Sequence, residues 1–511
     1  MGKFNAVAGG STKVKNKEGS DAYALDPKVA LYSAVCTAAL SNKFYESEQD
    51  QIDRIKSLIK QVPAEFTAKL AIYAREQMYL RSIPLVLCVE LAKATSKPRP
   101  EFDNNSLVSR TVGRVIQRPD EITELLACYA QANPQNNGSV KKLGKLSKQI
   151  QKGIAYAFNK FDKYSFAKYN RDGEIKLRDA LFLVHPKPKN DEQQALFNKI
   201  VEDKLEVPYT WETELSDAGQ KGKSKADVWS GLIESGKLGY MALMRNLRNI
   251  LESGVGKGLI MKVCQQLEDK GAVLKSKQFP FRFLSAYNQI QPITGSQPIL
   301  DALEAAMIHS ANNICGFDWD DSILIACDVS SSMWHPISER STVQFYDIGL
   351  CLAMLLQHRC ADVTTGIFGD TWLVNNLPKN NILNNVMQLR AIEGKVGYST
   401  NGYKVLEWAI KQKAKHSKIM MFTDCQMWDS EGGGYYSSRD SRIPQLWNQY
   451  KQDYPDAKLY LFDLAGHGDT PISTRDGNVN LIAGWSDKVF DVLSSIEEGG
   501  KNLTLIESIE I

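Results

Sequence analysis

Asp328, Ser330 and Ser332 alternate along Asp328-Val329-Ser330-Ser331-Ser332-Met333. One carboxylate and two hydroxyls at that spacing can be turned by a tight loop towards a single point. Hard oxygens around a point suit Mg²⁺, which takes near-octahedral oxygen ligands at roughly 2.0–2.1 Å, with Ca²⁺ or Mn²⁺ as alternatives. Two further ligands are expected from neighbouring loops. Thr400 lies in Gly397-Tyr398-Ser399-Thr400-Asn401-Gly402 just before a helical pattern, and Asp424 closes the apolar run Ile419-Met420-Met421-Phe422-Thr423. Asn401 follows the candidate Thr, so one carboxylate fewer than an Asp there would give stands near the site, which lowers its expected affinity for a cation. Trp334 and His335, and Cys425-Gln426-Met427-Trp428, flank the same loops; exposed Trp there would suit a partner surface, and buried Trp would be core.

A second chemistry is concentrated elsewhere. Between Asn136 and Asn190 there are 13 Lys and Arg against 4 Asp and Glu, a net of +9, whereas the chain of 511 residues carries +3; the remainder is therefore −6. Lys141, Lys145, Lys148, Lys168, Arg171, Lys176 and Arg178 run through this stretch, with Lys142, Lys152, Lys160 and Lys163 between them. Tyr156, Phe158, Phe161, Tyr164, Phe166 and Tyr169 interleave with the cations. Ammonium and guanidinium groups meet phosphates, and stacked bases contribute about 1–3 kcal/mol each, so the pattern fits single-stranded RNA. Its plainer explanation is a solvated basic helix face over an aromatic core. Pro186 should end the helix before it, leaving His185 and Lys187 at a helix terminus where they could meet phosphate. Arg245 and Arg248 share a helix face at i, i+3 and either line an RNA path or pair with acids.

The elements that must position these groups differ in kind. Ile323 to Cys327 is a β-branched apolar run, the mark of a buried parallel strand, and strand and helix alternate from there to the end. This predicts a doubly wound α/β sheet, whose ligands lie at the carboxyl ends of the strands. From about Pro27 to Ala311 the periodicity is helical, punctuated at Pro63, Pro84, Pro98 and Pro119, which predicts stacked antiparallel helix pairs. Residues 207–226 lose that periodicity and are expected to form a surface loop. Nine dispersed cysteines without a Cys-x-x-Cys pair point to free thiols in a reducing, cytoplasmic setting. No window has the 18 to 20 apolar residues of a membrane span.

The Asp-x-Ser-x-Ser, Thr and Asp set resembles the metal-ion-dependent adhesion site of von Willebrand factor A domains. Upstream, Lys168-Tyr169-Asn170-Arg171, Ile175 to Pro188, Leu238 to Leu247 and Pro280-Phe281-Arg282-Phe283 occur in an order that resembles the TROVE family, typified by the Ro autoantigen. The resemblance implies an N-terminal tail over residues 1–24, a HEAT-like ring of helical repeats over 25–315, and a Rossmann-like A domain over 316–511. It also implies a non-catalytic, monomeric protein. Such a protein binds Y-like non-coding RNAs and single-stranded 3′ ends, with an exoribonuclease or another protein as partner through the A domain. The residues agree on the absence of catalysis. No glycine-rich phosphate loop, no Gly-x-Ser-x-Gly elbow and no second acid of an Asp-x-Asp phosphoenzyme pattern is present.

Overall fold

The structure is a computed structural model that describes residues 12–38, 43, 45–94, 106–133, 146–170, 172–311, 314, 321–338, 341–431 and 441–511. The chain divides into two compact units. One comprises Met1–Ile55, Leu243–Arg248 and Ile260–Thr504; the other comprises Lys56–Ala242, Asn249–Leu259 and Leu505–Ile511. The division does not fall near residue 315, because helix Pro27–Cys36 packs on the edge strand of the sheet and helices Pro280–Ile290 and Gln297–Ala311 pack on helices of the α/β part.

The first unit holds all nine strands found among the described residues: β1 (Lys13–Lys15), β2 (Asp21–Ala24), β3 (Ser322–Asp328), β4 (Asp362–Phe368), β5 (Trp372–Val374), β6 (Lys418–Thr423), β7 (Lys458–Asp463), β8 (Asp469–Thr470) and β9 (Val479–Ala483). Six of them form one sheet in the order β5-β4-β3-β6-β7-β9, parallel except for β5 at the edge. The central β3 and β6 are buried along almost their whole length, which explains their unbroken apolar sequences. The chain leaves β3 for β4 on one side and returns to β6 on the other. That reversal opens a crevice at the carboxyl ends of β3 and β6, where such sheets bind ligands.

The expected N-terminal tail is corrected by this fold. Residues 13–15 and 21–24 form an antiparallel hairpin, and β2 pairs with β8. The helix Pro27–Cys36 follows, started by Pro27 and capped by Asp26, which accepts from Lys28 N at 3.0 Å. Its Tyr32 hydroxyl donates to Ala483 O and accepts from Ala483 N, at 3.1 and 3.0 Å. At the other end of the helical region, Glu304 on the helix Gln297–Ala311 accepts from Leu383 N and Asn384 N, at 3.0 and 2.7 Å. It caps the helix Ile382–Ile392 of the α/β part.

The second unit is helical. Helix Ala64–Glu76 packs on its successor Ser82–Ala94 and on Leu107–Val115, which packs in turn on Lys148–Phe158; Ser82–Ala94 packs on Pro119–Ala132. Neighbours one and two places apart in sequence are the pattern of stacked helix pairs. Gly153 lets Lys148–Phe158 approach closely, since a Cβ there would lie 2.6 Å from Val112 Cβ. A buried ion pair, Arg75 to Glu121 at 2.6 Å, ties the stack, and Glu121 also accepts from Gln117 N and Arg118 N. Residues 207–226 are not a loop throughout. Thr210 and Gly222 cap a helix over Trp211–Lys221 in which only Ala218 is buried, so no apolar stripe betrayed it. Among the described residues no helix is long and apolar enough to cross a membrane.

Candidate metal centre and nucleic-acid interface

The motif loop begins in register with its neighbours. β3 ends at Asp328 opposite Phe368, and β6 ends at Thr423, in register one residue after the Cys327–Phe422 pair and so level with Asp328, which puts Asp424 one step beyond it on the adjacent strand. Asp328 Oδ1 accepts from Ser330 N at 2.9 Å, and Oδ2 accepts from the Thr423 hydroxyl at 2.7 Å. The Ser330 and Ser332 hydroxyls stand 3.3 Å apart. Asp424 Oδ1 accepts from Gln426 N at 3.0 Å, and the turn between them puts Cys425 in the left-handed region at φ 63°. Few non-glycine residues adopt that conformation, and it is fixed here by Cys425 N donating to Thr423 Oγ1 at 3.1 Å.

All five expected ligands, Asp328, Ser330, Ser332, Thr400 and Asp424, are buried. Burial holds both carboxyls above the ordinary aspartate range, and the charge of Asp328 pushes Asp424 further. Hydrogen bonds from Ser330 and Thr423 oppose the shift of Asp328, and one from Ser332 opposes that of Asp424. Neither carboxylate forms an ion pair among the described residues. Asp463, at the end of β7, is a useful contrast. It accepts from Ser33, Ala465 N and Gly466 N, and the ammonium of buried Lys43 favours its charge. Two buried carboxylates amid hydroxyls are the donor chemistry of a hard divalent ion, although among the described residues no group of three His, Cys, Asp or Glu that could hold a metal is found.

Asn401 acquires a role that its sequence position did not show. Its amide donates to Asp370 O and Ser430 Oγ at 3.0 and 2.8 Å, and its carbonyl accepts from Ser430 N at 3.0 Å. An aspartate could not make the two donations, so Asn401 ties the loops that frame the crevice. Asp370, which follows β4, lies there too and accepts from Ser399 N at 2.7 Å; the rule that located Asp328 at a strand end would have found it. Trp334 is half-buried, donates to Val329 O and meets the Tyr398 ring edge-on at 4.7 Å. Half-buried Trp428 and exposed Tyr398 form a rim, while Cys425, Gln426 and Met427 are buried.

The basic segment sorts into cations held within the fold and cations facing solvent. Lys141, Lys142, Lys145 and Arg171 lie outside the described residues. Lys160 donates to Gly113 O and Ile116 O, at 2.8 and 2.5 Å, and so terminates a neighbouring helix. Lys163 pairs with Glu206, Lys176 pairs with Asp172 at 2.6 Å, and Arg178 lies 4.0 Å from Asp179. Lys148, Lys168, His185 and Lys187 are exposed. Lys168 sits 5.8 and 5.5 Å from the Tyr164 and Tyr169 ring centroids. His185 ends its helix in the left-handed region at φ 46°, with its N–H on Leu181 O at 3.0 Å. The stop expected before Pro186 is found.

The aromatics divide as well. Phe158 and Phe166 are fully buried and pack with Phe197, whereas Tyr156 and Tyr164 are 63% and 49% exposed. Helix Lys148–Phe158 and the 177–187 segment are joined by Gln151 donating to Leu183 O and Asn159 to Lys187 O, at 2.8 and 3.1 Å. Lys148, His185 and Lys187 therefore belong to packed neighbours. In the other unit, Arg245 and Arg248 are exposed, and the charge of Arg245 helps lower the pKa of Arg282.

These features define a class: a von Willebrand A-type α/β domain with a strand-end oxygen crevice, preceded by packed helix pairs. Comparison with known proteins agrees. Residues 202–297 match the TROVE domain and residues 322–496 the Ro60 vWA domain. The crystal structure of the Ro (RSR) protein of Deinococcus radiodurans superposes with a TM-score of 0.59 over 93% of this chain and 100% of that one; at 18% identity this is a likeness of fold. Telomerase protein component 1 of Rattus norvegicus is 26% identical over 378 residues, 58% of this chain, and that of Mus musculus 26% over 362 residues, 54% of this chain. The aligned part is 13% of each of those relatives. Over these two segments the chain is similar to the TROVE and Ro proteins, an RNA-binding family.

Proposed function

We propose that this protein is an RNA-binding scaffold that takes Y-like non-coding RNAs and the single-stranded 3′ ends of misfolded or unprocessed RNAs on its helical part. The observation that carries this reading is the exposed set of Lys148, Lys168, His185 and Lys187 beside exposed Tyr156 and Tyr164. Phosphates would meet the cations and bases would stack on the tyrosines. Binding of a structured RNA with a single-stranded 3′ tail, and of the same RNA without it, across a salt series tests the proposal. Tight, salt-steep binding that weakens without the tail supports it; equal or absent binding of both contradicts the 3′-end role.

The buried carboxylates of the crevice favour a second, compatible activity. Asp328 and Asp424, with Ser330, Ser332 and Thr400, would hold a divalent cation, Mg²⁺ first, whose contribution is Lewis-acidic attraction for a partner's carboxylate. That partner would be an exoribonuclease or another protein bearing an acidic side chain. The eight described cysteines are free and buried or half-buried, which supports a reducing, cytoplasmic location for a monomer. An A domain that docks protein while the helical part binds no RNA is the alternative, and RNA binding insensitive to salt would favour it.

A further inference from the structure

The helix Leu177–Val184 buries Leu177, Ala180 and Val184 and packs on the helices Pro119–Ala132, Lys148–Phe158 and Asp191–Val201. The face left open carries Arg178, Phe182 and His185, all exposed and spaced i, i+4 and i+7, so that successive side chains are neighbours one turn apart. Phe182 is 58% exposed, and among the described residues no other phenylalanine is exposed. A single apolar side chain in water is ordinary on a protein surface. What sets Phe182 apart is its surroundings. Arg178 stands one turn before it, His185 one turn after it, and Lys187 follows on a segment that Asn159 holds through Lys187 O at 3.1 Å. The one acid of this helix, Asp179, is engaged at the helix start, where it accepts from Lys176 N at 2.9 Å. The adjoining helix Lys148–Phe158, whose Gln151 donates to Leu183 O at 2.8 Å, carries the exposed ring of Tyr156.

We propose that Phe182 is a base-stacking platform for single-stranded RNA: a nucleobase lies on its ring, while the Arg178 guanidinium and a His185 ring N–H, one turn to either side, meet the flanking phosphates. The inference rests on the RNA reading above and gives it a contact that the cations and tyrosines do not supply. It follows from complementarity: a ring set between cations on a rigid helix matches a base set between phosphates. The ligand is an unpaired base, because bases inside a duplex keep their faces on one another. Phe offers no hydrogen-bonding group, so the platform takes any base and sets no sequence preference of its own.

The test is binding of the full chain to an RNA with a single-stranded 3′ tail, across a salt series, for wild type, Phe182→Ala, Phe182→Leu and Phe182→Tyr. Phe182→Ala and Phe182→Leu should weaken binding about tenfold with the salt slope unchanged, and Phe182→Tyr should bind as wild type does. On a tail of abasic nucleotides, which keeps the phosphates and removes the bases, the difference between wild type and Phe182→Ala should vanish. Wild-type affinity in Phe182→Ala would overturn this proposal and leave the RNA reading standing. Binding kept in Phe182→Leu but lost in Phe182→Ala, or a difference that persists on the abasic tail, would overturn it too, since either marks an apolar contact with protein and not a stacked base. No salt-dependent binding of the tailed RNA by wild type would overturn both.

Discussion

The crevice and the basic helical face present charge in opposite ways. At the crevice, Asp328 and Asp424 are buried, like-charged and held by short hydrogen bonds to groups within the same few residues. On the helical face, Lys148, Lys168 and Lys187 are long, exposed side chains on a rigid backbone. The first arrangement stores an unfavourable energy that one small cation would relieve, and a site of that kind would select by geometry and charge. The second has little stored energy and, on the proposed reading, would select by phosphate number and base stacking and so tolerate many sequences.

Removing one side of this contrast should leave the other intact. The largest effect is expected from Asp328→Ala, which should abolish saturable Mg²⁺ or Mn²⁺ binding, measured by calorimetry, while affinity for a tailed RNA stays within experimental error. Parallel loss of RNA binding in a folded variant would break the separation. Next, the double charge reversal Lys168→Glu, Lys187→Glu should weaken RNA binding strongly at low salt. It should also flatten the slope of log affinity against log salt by about 0.7 for each phosphate that the variant no longer neutralises. An unaltered slope would show that these cations do not face phosphate.

Replacing a stacking group sharpens the division between charge and rings. Tyr164→Ala should cost roughly 1–3 kcal/mol of RNA affinity with the salt slope unchanged. The same readout separates Tyr156→Ala, expected to behave alike, from a Phe158 substitution, which would destabilise the fold because that ring is buried. A smaller effect concerns pH. Because burial raises the carboxyl pKa values of Asp328 and Asp424 in the folded protein, the folded state binds more protons than the unfolded one above the ordinary value of 3.8. By linkage these two groups make stability fall as pH rises through that window. A cation that replaces the protons should restore it, so the gain in Tm on adding Mg²⁺ should be greater at high pH than at low. An equal gain at both would mean that the ion binds elsewhere.

How far each region could be read from sequence follows from the same physics. The placement of Asp328 and Asp424 at neighbouring strand ends was legible because a buried strand is an unbroken apolar run whose end is sharp, whereas Thr400 was located by its loop before a helix. Glu18 and Tyr45, which line a cleft with Ser332 and Thr400, were not legible. Glu18 comes from a polar hairpin made by backbone pairing and by Asn16, and Tyr45 from the segment between helices Pro27–Cys36 and Glu48–Ile59, features without hydrophobic periodicity. Charge counts located the basic segment but could not divide it. Lys160 and Lys168 are alike in sequence, yet one caps carbonyls of a neighbouring helix and the other stands over two tyrosine rings. The helix Trp211–Lys221 was missed for want of a buried stripe, although Thr210 and Gly222 mark its ends.

The most direct test of RNA capture by the helical face is a salt titration of a fluorescent RNA bearing a single-stranded 3′ tail. It would be carried out on wild type, Asp328→Ala and the Lys168→Glu, Lys187→Glu variant, each with and without Mg²⁺. The expected result is steep salt dependence for wild type and Asp328→Ala alike, no effect of Mg²⁺ beyond its ionic strength, and a weak, shallow curve for the charge-reversal variant. RNA binding lost in Asp328→Ala and kept on charge reversal would contradict it, placing RNA at the crevice instead.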